Sequence, residues 1–118
     1  MVVDDMADVL EVIALWLRSL GFDVVEASDG REAVELAAQV RPDLILIDLG
    51  MPVLDGLEAT RRIRGREEAR DVPVVAVTAF SVSYTRRMIE EAGFVGHVSK
   101  PVDFGALDRV IHKYLHTH

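Results

Sequence analysis

Four apolar runs of this chain end on side chains that handle phosphate or metal. Met1-Val2-Val3 runs into Asp4-Asp5, and Leu44-Ile45-Leu46-Ile47 stops at Asp48. Val74-Val75-Ala76-Val77 stops at Thr78, and the run after Phe94 ends at Lys100. Short runs rich in β-branched residues, bounded by Pro or Gly, read as strands buried on both faces. In a parallel sheet all the carboxyl ends lie on one edge, where open α/β sheets carry their chemistry. Three acids, one hydroxyl and one ammonium would then meet. Taken singly, Asp48 could merely open a polar loop, and Asp4 and Asp5 could be surface acids. The coincidence of four strand ends argues for a site.

Two like charges about 4 Å apart repel by roughly 4 kcal/mol at an effective dielectric of about 20. Three acids make up to three such pairs, a total that rivals the roughly 5–15 kcal/mol that holds a whole domain folded. Such a cluster must hold a proton or a cation, and Lys100 offsets only part of the charge. Hard oxygen ligands without His or Cys favour Mg²⁺, or the similar Mn²⁺. A carboxylate, a divalent ion, a lysine and a hydroxyl around one point suit phosphoryl transfer. Asp48 would be the nucleophile, giving an acyl phosphate, with Lys100 and Thr78 binding the developing charge.

The segments between the runs must position these ends. From Met6 to Leu20, residues Val9, Leu10, Ile13, Trp16, Leu17 and Leu20 recur at helical spacing, and Gly21 stops the helix. Leu15 falls outside that stripe, as an ordinary exposed Leu or an aid to docking. Asp23 to Ala27 reads as a second strand. Ser28-Asp29-Gly30 offers a cap for a helix from Arg31 to Val40, with Ala33, Val34, Ala37 and Val40 inward. Asp55 and Glu58 fit a capping box opening a helix through Arg64, and Gly65 to Asp71 is polar connection. A fourth helix runs from Val82 to Ala92, with Thr85, Met88, Ile89 and Ala92 on one face. Phe104, Leu107, Val110, Ile111, Tyr114 and Leu115 form the last. Five strands alternating with five helices give an α/β doubly wound parallel sheet.

Composition narrows the classes. A chain of 118 residues, half of them apolar, builds one domain over residues 1–118. With no cysteine there is no disulfide, thiolate metal site or cysteine nucleophile, which suits a reducing cytoplasm. A net charge of -7 argues against broad nucleic-acid binding. The basic cluster from Arg61 to Arg66 reads as a solvated helix end. The longest apolar block, Val12 to Leu17, is too short to span a membrane, and no cationic, apolar leader is present. These features predict a cytoplasmic protein with neither membrane nor direct nucleic-acid contact.

The segments "VVDD", "LILIDLGMPVLDG", "VVAVTA" and "VSKP", in this order and spacing, resemble the receiver domain of two-component response regulators. The resemblance covers essentially the whole chain. It implies the flavodoxin-like strand order 2-1-3-4-5 of the family's chemotaxis member. It also implies that Asp48 accepts a phosphoryl group from a phosphohistidine on a histidine kinase or phosphotransfer protein. Asp5 would ligate Mg²⁺ directly, Asp4 indirectly, and Gly50 through its backbone carbonyl. Lys100 would contact a phosphoryl oxygen, next to a cis bond to Pro101. The Thr78 hydroxyl and Ala79 amide would bind the phosphoryl group, and the movement would shift a face that binds a downstream protein. The chain would then be a regulator that catalyses only its own phosphorylation and dephosphorylation.

Three features depart from the family pattern. Only Met1-Val2-Val3 precede the acid pair, so the first strand looks shortened and its neighbours would be partly unpaired. His97 stands where the family often has a switch aromatic. A half-buried structural histidine is the simpler reading, and a rotating switch ring is the alternative. Gly50 and Phe80 occupy positions that tune phosphoryl lifetime, and they predict a long one. Other readings fit less well. A phosphohydrolase resembling the haloacid-dehalogenase family needs an acid where Gly50 stands. In a flavin or dinucleotide binder, Asp4 and Asp5 would repel the phosphate. A receiver-like module that is never phosphorylated would not need Asp4, Asp5, Asp48, Thr78 and Lys100 together.

Overall fold

The computed structural model describes residues 1–79 and 86–115. Phe80, Val82 and Thr85, and the tail histidines His116 and His118, lie outside them. The strands are β1 (Val2–Val3), β2 (Glu26–Ala27), β3 (Ile45–Ile47), β4 (Val74–Thr78) and β5 (Gly96–Ser99). The helices are α1 (Ala7–Ser19), α2 (Gly30–Val40), α3 (Gly56–Arg64), α4 (Arg86–Glu91) and α5 (Phe104–Tyr114). All strand pairs are parallel, and the sheet runs β2-β1-β3-β4-β5. This is the expected α/β class and strand order.

Side chains of a strand point alternately to its two faces, so both faces of a buried strand must be covered. Val2, Leu46, Val75 and Val77 pack with Leu10, Ile13 and Leu17 of α1 and Leu107 and Ile111 of α5. Val3, Ile45, Ile47 and Val74 pack the other way, with Val34 of α2, Ile63 of α3 and Ile89 of α4. The caps follow the sequence. Asp29 Oδ1 accepts from the Glu32 amide, and Asp55 Oδ1 from the Glu58 amide, each at 2.8 Å. Asp103 caps α5 in the same way.

Several expectations are corrected. The predicted strand from Asp23 to Ala27 pairs only at Glu26 and Ala27, because β1 offers no partner further back. Val40, expected inward, is 46% exposed. The connection after α3 holds a 3-10 turn at Glu67–Ala69. Arg61 and Arg62 are solvated and lie beside Glu58, but Arg64 folds inward. Its Nη2 donates to the Gly93 carbonyl at 2.9 Å and its Nη1 to the Arg70 carbonyl at 2.9 Å and to the Val72 carbonyl, tying α3 to the turn after α4. Leu15 is exposed, as its place on the wheel requires.

Thr60 of α3 is fully buried, and its Oγ1 has no hydrogen-bond partner among the described residues. An unpaired buried hydroxyl keeps its desolvation penalty. Thr60→Val should therefore stabilise the protein by about 1 kcal/mol. The urea midpoint should rise with an unchanged slope, and a lower midpoint would show that the hydroxyl is needed.

Candidate functional site

The sheet order puts β1, β3 and β4 side by side, which brings their ends together. Asp4 leaves β1, its amide donating to the Ala27 carbonyl at 3.2 Å. Asp48 leaves β3, its amide donating to the Val3 carbonyl at 2.9 Å. At the ends of β4 and β5 the Lys100 amide donates to the Thr78 carbonyl at 3.0 Å.

Asp4 is buried and both its oxygens are engaged. Oδ1 accepts from the Met6 amide at 2.9 Å and Oδ2 from Lys100 Nζ at 2.8 Å. The Asp48 carboxylate is looser. Its Oδ2 lies 3.5 Å from Lys100 Nζ, and its Oδ1 takes a long bond of 3.4 Å from the Gly50 amide. Asp5 is exposed. Each of Asp4, Asp5 and Asp48 offers one oxygen, and the three lie within 4.8 Å of one another. This all-oxygen set, without nitrogen or sulfur, fits Mg²⁺ or Mn²⁺.

Electrostatics follow from this crowding. Burial pushes the Asp48 carboxyl above the usual carboxylate range; Lys100 pulls it partly back, and Asp4 pushes it up again. Burial alone would lower the Lys100 ammonium, but its hydrogen bond to Asp4 and the charges of Asp48 and Asp4 outweigh that and raise it.

Of the remaining residues singled out in the sequence, Thr78 is buried and its hydroxyl donates to the Ala79 carbonyl at 3.3 Å. Gly50 and Ala79 are exposed at the same edge. The Lys100–Pro101 peptide is cis. His97 is half-buried on β5, in register with Ala76 of β4. The structure thus brings Asp4, Asp5, Asp48 and Lys100 together, with Gly50, Thr78 and Ala79 at the same edge and His97 three residues before Lys100 on β5.

Two features escaped the sequence reading. Asp4 ties the start of α1 through Met6, an Asx turn that the spacing could have signalled. Gly56 sits against the Asp48 carbonyl, where an added Cβ would come within 2.1 Å of its oxygen. Asp55 reads as the cap of a helix, and nothing local says that the glycine after it is there for a close approach.

Known proteins share this fold. The family of response regulator receiver domains matches residues 1–112. The chain is 33% identical to the polar-differentiation response regulator DivK of Brucella anthropi over 115 residues, covering 98% of this chain and 94% of DivK. The receiver domain of the sensor histidine kinase PA1611 from Pseudomonas aeruginosa, solved with magnesium coordinated in its active-site cleft, is 39% identical. It superposes with a TM-score of 0.87, covering 96% of this chain and 93% of that one. A Saccharomyces cerevisiae complex of the histidine phosphotransfer signaling protein Ypd1 with the receiver domain of its downstream response regulator Ssk1 matches at 28% identity. Its TM-score is 0.85, with 96% of this chain and 85% of that one covered. With its sheet order, its acid cluster and this match over nearly its full length, the chain belongs to the response regulator receiver domain family.

Proposed function

We propose that this receiver domain is a phosphorylation-dependent signalling switch with Asp48 as the phosphoacceptor. The observation that carries this is the meeting of three carboxylates and Lys100 at one sheet edge. The donor is a phosphohistidine on a histidine kinase or a phosphotransfer protein, a reading supported by the pairing of Ypd1 with the Ssk1 receiver domain. An Asp48 oxygen attacks phosphorus, and the new O–P bond forms as the N–P bond breaks. The histidine ring nitrogen keeps the bonding pair and takes a proton from water.

The chain's own groups arrange this step. Asp5, Asp48 and the Gly50 carbonyl would hold Mg²⁺ or Mn²⁺, with Asp4 acting indirectly. When bound, the ion supplies positive charge against the carboxylate and phosphoryl oxygens. Lys100 then turns from the carboxylates to a phosphoryl oxygen. Thr78 gives up its bond to the Ala79 carbonyl to donate to the phosphoryl group, and the Ala79 amide donates beside it. That movement passes along β4 and β5 to His97 and shifts the surface a downstream protein reads. The catalysis assigned to it is of the domain's own phosphorylation and dephosphorylation. No helix among the described residues is long and apolar enough to cross a membrane, which is consistent with a cytoplasmic role.

Mass spectrometry after treatment with acetyl phosphate and Mg²⁺ tests the assignment. One added phosphate is expected on the wild type and none on Asp48→Asn; an equally phosphorylated variant ends the proposal. The same variant carries a stability prediction. Because its folded value is raised, Asp48 contributes stability that is full below its ordinary value of 3.8 and is lost as pH rises through the folded value. Metal-free Asp48→Asn cannot ionise, so near pH 7 it should melt above the wild type. The gap should close in acid.

A further inference from the structure

The loop from β3 to α3, residues 48–55, carries both Asp48 and Gly50. Its two ends are tied, because the Gly56 amide donates to the Leu49 carbonyl at 3.0 Å. Leu49, Met51 and Leu54 are buried and anchor it, whereas Val53 between them is 85% exposed. Val53 has a φ of 69°. That is the left-handed region, an outlier for a β-branched side chain. Such a conformation persists only where its surroundings over-determine it. The bond of 2.8 Å from the Leu54 amide to the Pro52 carbonyl closes the turn around Val53 from within.

The outside support comes from α2. A Cβ added to Gly30, the first residue of α2, would lie 2.2 Å from the Leu54 carbonyl oxygen, 3.0 Å from the Leu54 carbonyl carbon and 3.1 Å from Leu54 Cβ. Leu54 is the residue directly after the strained Val53. A helix by itself would gain from alanine in place of glycine, so the bare backbone at Gly30 suits the close approach and not the helix. This end of α2 is also firmly fixed. Asp29 Oδ1 accepts from the Glu32 amide at 2.8 Å, and the Asp29 carbonyl accepts from the Ala33 amide at 3.1 Å. Ala33, Val34 and Ala37 sit in the core behind it. The loop is thus gripped twice, by Gly30 against Leu54 and by Gly56 against the Asp48 carbonyl.

We propose that Gly30 is a positioning residue for the metal-binding loop. The first turn of α2, set close against Leu54, holds the strained turn at Val53 and so sets the place of the Gly50 carbonyl. This rests on the phosphoacceptor reading above, in which Asp48 and the Gly50 carbonyl are ligands of Mg²⁺. Mg²⁺ demands near-ideal octahedral geometry, so a displaced ligand costs affinity. Gly30 has no side chain to offer and acts through the Leu54 backbone alone.

The test compares Gly30→Ala, Val34→Ala and Val53→Gly with the wild type in Mg²⁺ titrations followed by amide NMR. In Gly30→Ala the Leu54 carbonyl must move away from the new methyl group. Mg²⁺ should then bind about tenfold or more weaker, the usual effect of disturbing the groups behind a metal ligand. The Gly50 and Gly56 amide resonances should also move before any metal is added. Val34→Ala empties part of the core beside the same helix and lowers stability. It leaves the contact with Leu54 alone, so it should bind Mg²⁺ as the wild type does. Val53→Gly removes the strain but not the grip, and it too should keep the wild-type Kd. Should Gly30→Ala fail to fold, Val53→Gly decides, because weaker binding there would mean that the loop holds itself through Val53. Unchanged binding in Gly30→Ala, or an equal loss in Val34→Ala, overturns the proposal. Acetyl phosphate labelling of wild-type Asp48 reads the phosphoacceptor assignment separately, so that assignment stands whatever the three variants show.

Discussion

Lys100→Met should destabilise the metal-free protein by about 3–5 kcal/mol, the usual effect of removing one partner from a buried ion pair. The Lys100 side chain is 17% exposed and that of Asp4 only 3%, with 2.8 Å between Nζ and Oδ2. Asp48 shares the same ammonium at 3.5 Å. Methionine keeps most of the stem's packing and removes the charge, leaving two buried carboxylates without the ammonium that paired them. Urea unfolding in the presence of a chelator measures the loss. A loss under about 1 kcal/mol would mean that the pair is no stronger than a surface salt bridge.

The same variant should respond more to Mg²⁺ than the wild type does. A ligand that binds only the folded state, present at about 100 times its Kd, stabilises by about 2.7 kcal/mol. In Lys100→Met the ion no longer competes with an ammonium for Asp4 and Asp48, so its stabilising effect should be larger. In the wild type the contribution of Lys100 has a pH signature. Its folded value is raised, so the stability it adds is full below the ordinary 10.5 and is lost as pH rises through the folded value. Alkaline unfolding should therefore be steeper in wild type than in the variant.

Gly56→Ala should destabilise by about 3 kcal/mol, the upper end for overpacking. The reason is what the new methyl group meets. It would lie 2.1 Å from the Asp48 carbonyl oxygen, 2.9 Å from its carbon and 3.0 Å from Leu49 Cα. All three are backbone atoms, so no side chain can swing away. Either α3 moves or the end of β3 moves, and with it the phosphoacceptor. A displacement of about 1 Å can cost roughly 100-fold in rate, so acetyl phosphate labelling of Asp48 should slow by that order. Gly50→Ala is the matched control, because a Cβ there meets nothing within 4 Å. It should fold normally. If Gly56→Ala labelled as fast as Gly50→Ala, the close approach would not position Asp48.

The order of elements and the convergence of the acids could be read before folding. Apolar runs of strand length ending on Asp4, Asp48, Thr78 and Lys100 state the chemistry, and caps such as Asp29 and Asp55 act within three residues of themselves. Such signals are local, carried by spacing along the chain. The pairing of Lys100 with Asp4 joins residues 96 apart, and only the placing of β1 among the strands decides it. The inward turn of Arg64, the contact of Gly56 with the Asp48 carbonyl and the exposure of Val40 have the same character. Each depends on how closely a distant segment approaches, and residue type alone carries no record of that distance. Chemistry was legible because side-chain type limits it; partners were not, because they are chosen by packing.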